Sequence, residues 1–246
     1  MVGVNPVETD PRVSCPIVCD EELGATGFFY RTGEQTYLVT ARHNILPTNM
    51  SDLRSGNTPH ALENSFRPKV DIYLRKSGKS ELRTVDIRST DGVKSSSSID
   101  IVAIPIDFDP QAFDYVVWSA GDVITPGSGA STLEVFGFPR RCFQTQASQY
   151  DTDLFRDMEL RPSSFTLANP DTSFGNSTDL ADIGYDENID TDLSEYAGYS
   201  GAPILGEGLV GVFSNGLSHS NEVTAAAGFQ PMIYWPAVHI SALLTH

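Results

Sequence analysis

Gly198-Tyr199-Ser200-Gly201-Ala202-Pro203 sets a serine among glycines, with the strand-like pair Ile204-Leu205 directly after it. Glycine lets the backbone turn tightly enough to expose a hydroxyl while leaving amide N–H groups free. A serine hydroxyl attacks a carbonyl at neutral pH only when a base takes its proton, and the oxyanion that forms needs convergent donors. The amides of Gly198 and Ser200 are the donors this motif offers. A Gly-x-Ser-Gly string is also compatible with an ordinary turn, so the reading depends on a base and an orienting acid elsewhere in the chain.

The base candidate is His43, in Val39-Thr40-Ala41-Arg42-His43-Asn44 at the end of an expected strand. An imidazole titrates near neutrality, so it can accept the serine proton and return it to a leaving amine. His60, His219, His239 and His246 fall in loops, a helix or the terminus and lack that context. The orienting acid is Asp100, which opens the otherwise apolar run Ile99 to Ile106. A carboxylate buried there is costly unless it meets a donor such as an imidazole N–H. Asp107 and Asp109 follow Pro105 and are expected to leave that strand for solvent.

Short apolar or alternating runs must carry these groups. Gly27 to Tyr30, Thr36 to Thr40, Val70 to Leu74, Ile99 to Ile106, Leu133 to Phe138, Ile204 to Leu205 and Leu209 to Phe213 read as strands. Gly33 in Arg31 to Gln35 marks a hairpin between the first two. Helical periodicity is confined to Ala237 to Leu244, with Pro236 at a helix-starting position. Ser89 to Ser98 and Asn169 to Glu195 have loop composition, and a weak boundary falls near Ser119 to Gly129. With 20 Gly and 15 Pro, the pattern favours a mainly β sandwich or barrel with a C-terminal helix.

The chain has 246 residues and a formal charge of −16, from 32 acidic against 16 basic side chains. That balance argues against nucleic acid and anionic membranes as partners, and no run is long and apolar enough to span a bilayer. The acidity fits either a high-salt habitat or an ordinary acidic protein. Cys15, Cys19 and Cys142 are too few for a disulfide scaffold. The first two lack a second ligand pair, which favours buried thiols over zinc; no metal or cofactor is expected. No basic-then-apolar leader opens the chain, so a native Met1 implies a soluble, cytoplasmic protein.

The order His43, Asp100, Ser200, separated by 57 and 100 residues, makes three motifs recognisable together. Thr40-Ala41-Arg42-His43 resembles the TAxH motif of the trypsin-like, chymotrypsin-fold serine peptidases, bacterial or archaeal in type. Asp100-Ile101-Val102-Ala103 is similar to their D-I-A segment, and Gly198 to Pro203 to their G-x-S-G-x-P motif. Gly24-Ala25-Thr26-Gly27-Phe28 resembles the strand entry before the histidine. The resemblance implies a single all-β peptidase domain of two antiparallel six-stranded β-barrels, about 13–120 and 121–235, with a C-terminal helix at about 236–246. It implies His43, Asp100 and Ser200 as the catalytic triad and Gly198 and Ser200 as the oxyanion hole. It also makes Val210 to Gly216 the strand beside the substrate, with Ser194, Ser214 and Gly216 at the side-chain pocket.

Tyr199 stands where the family has Asp or Asn, and no Ile-Val-Gly-Gly activation sequence opens the chain, so pairing with a new N-terminal ammonium is not expected. The cysteines that flank the family's histidine are missing as well. The function implied is a serine endopeptidase acting on peptide or protein substrates. The alternative is a catalytically silent binding or scaffolding protein that keeps the fold, with the acidic stretch Asn169 to Glu195 over the cleft.

Overall fold

The computed structural model describes residues 11–19, 23–46, 69–76, 79–96, 98–125, 132–139, 163–168, 182–186, 196–216 and 230–245. The chain is all-β, with two curled sheets and a short C-terminal helix. In the first lobe lie β1 (Cys15–Cys19), β2 (Leu23–Thr32), β3 (Gln35–Thr40), β4 (Lys69–Lys76), β5 (Lys79–Asp86), β6 (Lys94–Ser95), β7 (Val102–Ile106) and β8 (Val117–Ser119). They form an eight-stranded sheet ordered β5-β4-β1-β2-β3-β7-β6, and β8 joins β2 in parallel. This sheet is thus larger than the six antiparallel strands expected, because β6 emerges from the serine-rich stretch and β8 pairs with the central strand β2 outside the main strand order.

In the second lobe, β9 (Thr132–Gly137), β10 (Ser163–Ala168), β11 (Asp182–Asp186), β12 (Pro203–Leu205), β13 (Leu209–Gly216) and β14 (Gln230–Pro236) close into a barrel ordered β10-β11-β14-β13-β12-β9. The strand β11 lies inside the stretch expected to be loop from Asn169 to Glu195. Its pairing with β14, Ile183 opposite Ile233, supplies what its acidic composition conceals.

Strand β2 explains how the two lobes share a wall. Its side chains alternate, so Phe29 enters the first-lobe core with Ile17, Leu38, Ile72 and Ile104, while Phe28 and Tyr30 turn the other way. There they pack with Val39 and Ile101 of the first lobe, Leu209 and Val212 of the second, and Ile240 of the terminal helix. Both faces of the strand are buried over residues 24–30.

Two expected elements begin elsewhere. The run from Ile99 becomes strand only at Val102, because the Asp100 carbonyl accepts from Arg42 N–H (3.2 Å) and its side chain is engaged outside the ladder. Pro236 ends β14 opposite Gly211 and does not start the helix. With no N–H to donate it closes the strand, Ala237 N–H bonds to Val210 O (2.8 Å), and the helix α2 runs over Val238–Thr245. Ser241 Oγ of α2 meets Tyr30 Oη at 2.7 Å. Cys15 and Cys19 are fully buried in the first core, and burial pushes the Cys15 pKa far up.

Candidate active site

Immediately after β3 the chain makes a single helical turn, α1 (Arg42–Ile45), closed by Leu46 N–H on Arg42 O (2.8 Å). The turn presents two donors of His43 to one carboxylate. The backbone N–H donates to Asp100 Oδ1 (2.9 Å) and the ring Nδ1 lies 2.7 Å from Asp100 Oδ2. Ser214, on β13 of the other lobe, donates its hydroxyl to the same Oδ2 at 2.5 Å. Asp100 is thereby a buried carboxylate, its side chain 3% exposed, that receives three donors.

An ionised carboxylate only accepts, so the proton of neutral His43 sits on Nδ1 and Nε2 keeps the free lone pair. Burial alone depresses the His43 pKa. The charge of Asp100 and its hydrogen bond outweigh that and leave it above the ordinary imidazole value. Burial likewise works to raise the Asp100 pKa, but the charge of His43 and the bonds from His43 and Ser214 hold it below the ordinary carboxylate value.

Ser200 stands on a turn bounded by two residues with left-handed backbone, Gly198 (φ +95°) and Gly201 (φ +89°). A Cβ on Gly201 would collide with the Thr26 carbonyl oxygen and Thr40 Oγ1, so only glycine fits there. The first lobe grips the turn through its carbonyls. Thr26 N–H (3.2 Å) and Asn44 Nδ2 (2.9 Å) both donate to Ser200 O, and Thr26 Oγ1 donates to Gly198 O (2.8 Å). Thr40 Oγ1 donates to Thr26 O (2.7 Å) and accepts from Asn44 Nδ2 (3.0 Å), which locks the grip together.

The carbonyl of Tyr199 accepts from Ala202 N–H at 2.8 Å. In a trans peptide the N–H of the next residue points the opposite way, so this bond aims the Ser200 N–H out of the turn. Among the described residues neither the Gly198 nor the Ser200 N–H has a hydrogen-bond partner. The Ser200 hydroxyl donates to the Ser214 carbonyl (2.9 Å), and among the described residues no hydrogen bond joins it to His43. Ser214 therefore touches both halves, with its hydroxyl on Asp100 and its carbonyl under Ser200.

Of the residues expected at the site, His43, Asp100 and Ser214 are directly bonded, and Ser200 joins them through Ser214. The Ser214 side chain backs Asp100 and is only 4% exposed. Gly216 pairs with Met232 at the end of β13. Ser194 lies outside the described residues. Asp109 leaves the strand as expected, capping the turn Pro110–Phe113 and meeting Arg31 at 3.3 Å. Sequence reasoning missed Thr26 and Asn44, although Asn44 directly follows His43. Among the described residues no group of three or more His, Cys, Asp or Glu is placed to hold a metal ion.

Two curled sheets sharing an apolar wall, with these residues between them, make a chymotrypsin-like all-β fold. Deg5 is similar at TM-score 0.50 and 11% identity, over 96% of this chain and 88% of that one. The protease Anisep from Arthrobacter nicotinovorans is similar at TM-score 0.50 and 14% identity, over 95% and 94%. A variant of the HtrA-type protease AlgW, solved with a tripeptide, is similar at TM-score 0.50 and 12% identity over 98% of this chain. The chain spans 62% of the length of that AlgW chain. At such identities the likeness is one of fold. No protein-family model matches the chain, and no curated protein sequence matches it. Among the described residues no helix is long and apolar enough to cross a membrane.

Proposed function

We propose that the chain is a single peptidase domain and a serine endopeptidase, with His43, Asp100 and Ser200 as its triad. The observation that carries this reading is the buried Asp100 carboxylate, which takes both donors of His43 and leaves Nε2 as the free base. Rotation of the Ser200 hydroxyl away from Ser214 O toward Nε2 gives the attacking arrangement. His43 then removes the hydroxyl proton as Ser200 Oγ bonds to the substrate carbonyl carbon. The N–H groups of Gly198 and Ser200, without a partner among the described residues, receive the oxyanion. The imidazolium, stabilised by Asp100, delivers its proton to the departing amine nitrogen, and the C–N bond breaks to leave an acyl-serine. Water repeats the sequence, giving its proton to His43 and releasing the acid.

The substrate class rests on the chemistry of the site and on the tripeptide held by the AlgW variant. A fluorophosphonate should label Ser200, and Ser200→Ala should abolish labelling and lower turnover of a peptide library by about 10³-fold or more. A folded wild-type chain that is neither labelled nor active overturns the reading. A second reading, a catalytically silent binding protein on the protease fold, is favoured by one observation, the Ser200 hydroxyl bonded to Ser214 O in place of His43. Unlabelled wild type that still binds peptides, and binds them equally as Ser200→Ala, is its signature.

A further inference from the structure

The residue before Ser200 is a tyrosine whose ring enters the second-lobe core, 5% exposed, among Phe165, Tyr196 and Phe213. Phe165 meets the Tyr199 ring edge-on, centroids 5.0 Å apart at 86°. A buried phenol needs a partner for its hydroxyl, and Tyr199 Oη is hydrogen-bonded to Ser163 Oγ on β10. Ser163 is paired across the sheet with Gly137, and a Cβ on Gly137 would come within 2.6 Å of Tyr199 Cδ1. One cross-strand pair thus supplies both the space for the ring and the bond that holds its tip.

Phenylalanine would fill the same volume, so filling the core does not require the hydroxyl. Its consequence runs through the backbone. Tyr199 N–H donates to Tyr196 O (3.1 Å) and its carbonyl accepts from Ala202 N–H (2.8 Å), so the ring anchors the peptide plane that aims the Ser200 N–H. We propose that Tyr199 and Ser163 form a latch beneath the oxyanion turn, with Tyr199 as a positioning residue that keeps the Ser200 N–H facing the reacting carbonyl. The latch rests on the peptidase reading. It gives the turn its working shape from within the second lobe, by a bond between two uncharged groups.

The test compares wild type, Tyr199→Phe, Ser163→Ala, the double variant, and Ser164→Ala as a control on the exposed neighbouring position of β10. Tyr199→Phe and Ser163→Ala should each lower kcat on peptide substrates by about 10- to 100-fold, somewhat less than removal of an oxyanion donor outright. KM should stay within about twofold, and a peptide boronate, which mimics the tetrahedral adduct, should bind more weakly by the same factor as kcat. The double variant should fall no further than either single one, because both break the same bond. Wild-type kcat in Tyr199→Phe, or losses that multiply in the double variant, overturns the latch.

A separate readout is independent of activity. Amide exchange at Ala202 should quicken about tenfold or more in Tyr199→Phe while melting temperature stays near that of wild type. Unchanged exchange overturns the latch even if the chain is an active peptidase. Inert, unlabelled wild type with quickened exchange overturns the peptidase reading and leaves the latch as a conformational device.

Discussion

Asp100 and His43 meet through two direct hydrogen bonds inside one lobe, whereas Ser200 stands on a turn whose carbonyls are held by the opposite lobe. The His43–Asp100 half is wired by charge at short range. Both His43 bonds lie within the first lobe, and Ser214 of the second lobe adds a third donor to the same carboxylate. The Ser200 half depends on docking, since Thr26 and Asn44 reach across from the first lobe to hold Ser200 O, and Thr26 to hold Gly198 O. Charge substitutions should therefore remove chemistry and spare structure on one side, while substitutions on the other should change stability and activity together.

The largest expected effect is on the charged side. Asp100→Asn keeps the shape but replaces a pure acceptor with a group that can also donate, so His43 loses the tautomer that frees Nε2. We expect kcat/KM to drop by about 10³- to 10⁴-fold in steady-state assays. A loss under tenfold would mean that Asp100 does not set the tautomer. Gly201→Ala comes next, because a Cβ meets the Thr26 carbonyl and Thr40 Oγ1 at a positive φ. Denaturant unfolding should show a loss of about 3 kcal/mol, with activity falling in parallel.

Asn44→Ala removes the amide from Thr40 Oγ1, a buried acceptor, and from Ser200 O, a part-buried one. A cost of about 1–3 kcal/mol is expected in the same experiment. Wild-type stability here would break the contrast, showing that the nucleophile turn stands without the first lobe.

The smallest effect is the pH dependence of stability. The raised pKa of folded His43 stabilises fully below the ordinary imidazole value of about 6.5 and is lost as pH rises through the folded value. The lowered pKa of Asp100 stabilises above the ordinary carboxylate value of about 3.8 and is lost as pH falls through its folded value. The pair contributes most between those limits, whereas the proposed mechanism needs neutral His43. The melting advantage of wild type over His43→Gln should thus be larger near pH 5.5 than near pH 9, while kcat/KM rises across the same span. An advantage that grows toward pH 9 would contradict the charged coupling.

How much could be read in the sequence followed physical type. Strand β3 was visible because Tyr37, Leu38 and Val39 sit in a β-branched, aromatic run closed by Gly33, and β7 because its five residues are mostly apolar. Strand β1 escaped notice because all five residues are buried and nothing alternates. Prolines at positions 231 and 236 disguised β14, and charge disguised β5 and β11. At the site, His, Asp and Ser in local motifs pointed to one another, and the direct His43–Asp100 bonds join residues 57 apart. Thr26 and Asn44 carried no such signal. Their partners on the nucleophile turn lie 172 and 156 residues away, and nothing local marks a threonine or an asparagine for that contact.

The Tyr30 to Ser241 bond and the seating of Ile240 in the shared wall place α2 across both lobes. In a chain emerging from the ribosome, every described strand is made before that helix, and the first lobe can fold well ahead of it. The wall between the lobes is sealed last. Because Thr26 and Asn44 must reach over that wall to shape the turn around Ser200, a nascent chain carries the sequence of the cleft before it can carry the geometry, and the order of synthesis itself delays the moment at which the site is assembled.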